Sequence, residues 1–223
     1  IKEIHEQPAA IIKTITPRIK DSLPDFTEDG IPDSFFEDVS DITIVACGTA
    51  MYAGMVGKTM IQNRLHIPVT VAIASEFRYA EPVISDKSMV VFVSQSGETI
   101  DTLEALRLAN KYTKKTLSIV NVKGSSIARE SNYVLYTHAG PEIAVASTKA
   151  YTVQAASFYL LGCKLGLVSR KMTEADAKEF IENLQEVPNL IESVITQAPE
   201  IEQLTKRMVN ATNAFYIGRG LDY

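Results

Sequence analysis

The stretch SQSGETIDT, Ser94 to Thr102, follows directly on the apolar run MVVFV. Ser94, Ser96 and Thr99 bring hydroxyls that can donate to phosphate oxygens, and Gln95 adds a carboxamide, with no Lys, Arg or His among them. Gly97 lets the backbone approach a ligand closely, and Thr99 to Lys111 has helical periodicity. The unpaired first-turn amides of such a helix carry partial positive charge and suit an anion. Helix capping by Ser96 or Thr99 accounts for one hydroxyl and leaves the others unexplained. The stretch reads as a phosphate cradle of hydroxyls and amides, on condition that Glu98 and Asp101 face away.

Two other loops carry usable groups. In CGTA, Cys47 to Ala50, Gly48 permits close approach and Thr49 offers a hydroxyl, while Cys47 has no nameable base beside it and is expected to line a pocket. In AGPEIAVASTKAYT, Ala139 to Thr152, the small residues Ala144, Val145 and Ala146 would let a substrate lie against the backbone. Ser147 or Thr148 is a natural N-cap for the apolar helix that follows. Glu142 could accept a hydroxyl or work on a proton with Lys149 as its partner, or the two form a structural pair. His5, His66 and His138 have no metal-ligand spacing, and IGRG is not GxGxxG, so neither a metal nor a dinucleotide cofactor is expected.

The elements that must position these loops are short apolar runs rich in β-branched residues: ITIVAC, VTVAI, MVVFVS, TLSIVNV and YVLYT. Between them Met51 to Leu65, Thr99 to Lys111 and Ser125 to Glu130 have helical patterns. Near-continuous apolar strands alternating with helices predict an α/β fold: a doubly wound sheet of about five parallel strands, over residues 42–170. Its ligand would sit beyond the carboxyl ends of the strands, where the winding reverses. Residues 1–41 read as a helical lead-in, of which the polar segment Asp21 to Asp41 is expected outside the core. Residues 171–212 read as a helical connector broken by Pro188 and Pro199. Residues 213–223, AFYIGRGLDY with its preceding Asn, parallel ITIVACGTAMY and read as the first strand of a second copy of the domain.

The 223 residues carry a net charge of −5, so no basic excess exists to hold a nucleic-acid backbone. Cys47 and Cys163 form no disulfide framework, which fits a reducing cytoplasm. IKEIHEQPAAIIK lacks the pattern of a signal peptide. The most apolar stretch, Ala150 to Cys163, is short for a membrane span and reads as a buried helix or a subunit interface.

Taken in order, ACGTA, ASEFRY, SQSGETIDT, NVKGSSIARES and AGPEIAVASTKAYT resemble the sugar isomerase (SIS) domain. More narrowly, EIHEQP, SEFRY, VASTKA and GRGLDY are similar to the isomerase half of the glutamine:fructose-6-phosphate aminotransferases. The resemblance implies a three-layer, flavodoxin-like α/β fold and a hexose 6-phosphate ligand with its phosphate at Ser94, Gln95, Ser96 and Thr99 and its sugar at Thr49, Val145 and Ser147. Ala50 stands where those enzymes often have serine. The resemblance also implies a homodimer, to which the helix near Tyr151 to Leu165 could contribute, and a longer parent with an N-terminal glutaminase domain that supplies ammonia. The acid–base and imine-forming residues of that reaction are expected beyond Tyr223, with no catalytic residue inside this chain. A fructosamine-6-phosphate deglycase with two such domains, and a sugar-phosphate sensor without catalysis, are the alternatives.

Overall fold

The computed structural model describes residues 1–218 and Gly220. The chain opens with helices α1 (Lys2–His5) and α2 (Gln7–Ile15) and a two-residue antiparallel pair, β1 (Ile19–Lys20) with β2 (Leu23–Pro24). There follow β3 (Asp41–Ala46), α3 (Gly48–Leu65), β4 (Val69–Ile73), α4 (Ala74–Phe77), β5 (Ser88–Ser94), α5 (Ile100–Ala109), β6 (Thr116–Val120), α6 (Ser126–Glu130) and β7 (Tyr133–Tyr136). Helices α7 (Lys149–Val168), α8 (Glu174–Ile195) and α9 (Ala198–Thr205) complete the chain. Strands β3 to β7 form one wholly parallel sheet in the order β4-β3-β5-β6-β7. Each of the five apolar runs supplies one strand, and the sheet is doubly wound.

Two-sided burial explains why the strands are so uniformly apolar. Every residue of β5 and of β6 is buried. Ile42, Ile44, Met89, Val91, Val93, Leu117 and Ile119 face one layer, made by α2, α3, α7 and the first half of α8. Val45, Val90, Phe92 and Val120 face the other, made by α4, α5 and α6. Full burial of a side chain such as Phe92 or Leu117 contributes about 1.5–3 kcal/mol. Helices α3 and α7 approach closely at glycines: a Cβ on Gly57 would lie 2.5 Å from the Phe158 ring, and one on Gly162 would lie 2.3 Å from Met60 Sδ.

Several expectations need correction. Residues 21–41 are not outside the core, because large apolar side chains are interleaved with the polar ones: Phe26, Ile31, Phe35 and Phe36 join Ile11 and Ile15 in the cluster on the sheet. Arg18, also buried, pairs with Asp29 at 2.6 Å and donates to the carbonyls of Thr14 and Tyr136, which ties this segment to edge strand β7. Helix α3 starts at Gly48 rather than Met51. Pro188 does not break α8; it lies on the same buried face as Ala177, Ile181 and Leu184, and that packing outweighs the lost amide bond. Pro199 does open a new helix, α9. Residues 213–218 form no strand; Phe215, Tyr216 and Ile217 are exposed, and among the described residues no strand pairs with them. The rest of that expected strand, Arg219 and residues 221–223, lies outside the described residues. Helix α7 is covered along most of its length by α2, α3 and α8, which leaves it little surface for a subunit interface. Among the described residues no helix is long and apolar enough to cross a membrane.

Candidate sugar-phosphate site

Adjacent strands β3 and β5 send their chains to opposite layers, into α3 and α5 respectively, and a crevice opens at their carboxyl ends. A cavity of about 260 Å³ occupies it, lined from the first loop by Cys47, Thr49 and Ala50 and from the second by Ser94, Gln95, Ser96 and Thr99. The third loop adds Glu142, Ala144, Val145 and Ser147. All three loops singled out in the sequence therefore meet at one point. Gly48 does not line the cavity; it starts α3 with φ of +57°, a conformation that favours glycine.

The second loop is built from its own hydroxyls. Ser94 Oγ accepts from the Gly97 amide at 3.0 Å and lies 3.0 Å from Thr99 Oγ1, so the buried Ser94 mainly shapes the turn. Ser96 Oγ accepts from the Glu98 amide at 3.2 Å, which leaves its own proton free to donate. Thr99 occupies the N-cap position of α5 without a side-chain capping bond, so plain capping does not account for it. Gly97, at φ +66°, is pressed against Ser125, whose Oγ would lie 2.0 Å from an added Cβ. Both acids are engaged elsewhere. Glu98 accepts from the Ser126 amide at 2.8 Å, and its bonds to Ser126 hold the carboxyl below the usual range. Asp101 lies 3.9 Å from Arg78.

The third loop is organised by carboxylates. Glu142 accepts from Ser147 Oγ at 2.9 Å and from the amides of Thr148 and Ala150 at 3.0 and 3.1 Å, so it caps α7 in place of either hydroxyl. Lys149 does not pair with Glu142; its ammonium, 4% exposed, sits 2.5 Å from Glu6. Glu3 accepts from the amides of Ile143 at 2.7 Å and Ala144 at 3.2 Å, bonds that hold its carboxyl below its ordinary value. The side chain of Val145 is fully exposed. Sequence reasoning missed Glu3 and Glu6, whose partners stand about 140 residues away, and it missed Gln154, a polar residue inside an apolar helix that also lines the cavity.

Cys163 is buried, which pushes its thiol up to about 12, and Cys47 is half-buried; both are free. Among the described residues no group of His, Cys, Asp and Glu could hold a metal ion. A wider cleft of about 520 Å³ lies at the β7 edge beside Arg18 and His138, but the ion pair at its base already satisfies Arg18.

Residues 35–163 match the SIS domain. The chain belongs to the SIS domain family. Over its full length this SIS chain is 45% identical to a glutamine--fructose-6-phosphate aminotransferase (isomerizing) of Caldanaerobacter subterraneus and 40% identical to one of Thermotoga maritima. It spans 37% and 36% of those relatives, respectively. The solved C-terminal domain of glucosamine-fructose-6-phosphate aminotransferase from Francisella tularensis superposes with a TM-score of 0.95 at 37% identity, over all of this chain and 63% of the other.

Proposed function

We propose that this chain is part of the isomerase portion of a glutamine:fructose-6-phosphate aminotransferase, and that its cavity binds fructose 6-phosphate or glucosamine 6-phosphate. The observation that carries the reading is the meeting of three loops over β3 and β5, one of them a turn of hydroxyls with its acids directed elsewhere. In this reading the phosphate lies on Ser96, Thr99, Gln95 and the nearby amides, with Ser94 holding the turn. The sugar lies toward Thr49, Ser147 and the backbone at Val145. A site without a lysine or arginine binds an anion moderately and releases it readily.

The whole enzyme would condense ammonia with the opened ketose and move a proton between C2 and C1. Glu142 is ill placed for that proton, because both its oxygens already accept bonds that hold α7. The same reading assigns the acid–base and imine-forming groups to residues following Tyr223, ammonia to an N-terminal glutaminase, and the enzyme to a cytoplasmic homodimer.

The test is a calorimetric titration with glucosamine 6-phosphate, glucosamine and the Ser96→Ala variant. Saturable binding that needs the phosphate, and that weakens roughly ten- to a hundredfold without the Ser96 hydroxyl, is expected for a lost bond to a charged group. Equal binding of the phosphorylated and plain sugars, or none at all, overturns the reading.

A further inference from the structure

Gln154 is 3% exposed on the second turn of α7, and its side chain lines the cavity. Among the described residues nothing hydrogen-bonds its carboxamide, although its neighbours on the same helix are served: Thr152 donates to Gln7, and Ser157 to the carbonyl of Val153. A carboxamide offers two donors and an acceptor, and here they open onto the cavity instead of meeting a protein partner. Its neighbours Val153, Ala156 and Phe158 lie in the core. Ala50, which also lines the cavity, offers only a methyl group.

We infer that Gln154 is a ligand-contacting residue whose carboxamide exchanges hydrogen bonds with a hydroxyl of the sugar. The inference rests on the sugar-phosphate reading of the cavity. Thr99 stands at the head of α5 in one layer, whereas Gln154 comes from α7 in the other. An anion seated at the hydroxyl turn would leave its organic part facing α7. Because the amide both gives and takes, it suits a polyol, which does the same at every carbon, and it gains nothing from an alkyl chain. Gln154 would therefore discriminate for the hydroxylated body of the ligand while the hydroxyl turn holds its phosphate.

Wild type, Gln154→Met and Ser96→Ala are titrated with glucosamine 6-phosphate, and inorganic phosphate is measured by competition against it. Gln154→Met keeps the length and packing of the side chain without its polar atoms. It should weaken sugar-phosphate binding about tenfold, leave the inhibition constant of inorganic phosphate unchanged, and leave the unliganded melting temperature unchanged or higher. Wild-type affinity in Gln154→Met beside a loss in Ser96→Ala overturns this inference and leaves the site reading standing. Equal losses for sugar phosphate and phosphate, or a lowered melting temperature, assign Gln154 to structure and overturn it as well. Failure of wild type to bind either ligand removes both proposals together.

Discussion

Glu142 illustrates how a single carboxylate can look catalytic and act as a fastener. It gathers one hydroxyl and two amides at the head of α7, and the wall of the cavity depends on that gathering. Replacing it with alanine strands three donors, so Glu142→Ala should lose about 1–3 kcal/mol in urea denaturation and weaken sugar-phosphate binding, with Glu142→Gln losing less. The hydroxyls at 94, 96 and 99 were legible from their spacing after an apolar run. The service of Glu142 to Thr148 and Ala150 was not, because it depends on how the loop closes. The link from Lys149 to Glu6 was not either, since no local pattern marks a contact across 143 residues.

At the scale of elements, the crossing of α3 and α7 sets how near the first and third loops stand. That crossing is close because Gly57 and Gly162 leave room for Phe158 and Met60. Gly57→Ala should cost about 1–3 kcal/mol by overpacking, and a second change, Phe158→Leu, should recover part of it; chemical denaturation of the single and double variants checks this. Strand existence was legible because burial on both faces writes itself as unbroken runs of β-branched and aromatic residues, as in VVFV of β5. Helix limits were less so. Gly48 looked like a turn residue and is the first residue of α3, and Pro188 looked like a break and is carried inside α8 by its buried face.

Across the whole molecule, the first 41 residues belong to the same core as the sheet, which their mixed composition concealed. The buried pair of Arg18 and Asp29 fastens them to β7, and Arg18→Ala leaves Asp29 and two carbonyls unserved. A loss of about 3–5 kcal/mol is expected, read by thermal or urea unfolding. Nearby His138 is pushed below its ordinary value chiefly by burial, with Arg18 and Lys123 pushing the same way and Asp29 opposing them. Its folded value lies below the ordinary 6.5, so the unfolded chain takes up the proton first. Stability is whole above that value and should fall as pH drops through it toward the folded value; the melting temperature of His138→Gln should fall less between pH 8 and 5.5.

Glu3 grips the amides of Ile143 and Ala144, Glu6 grips Lys149, and Gln7 takes the hydroxyl of Thr152, so the first turns of the chain are moored along one wall of the cavity. A pull on Ile1 is transmitted within a few bonds to the backbone that would lie against the sugar. Tension applied to the amino end would reach the mouth of the pocket without first having to deform the sheet.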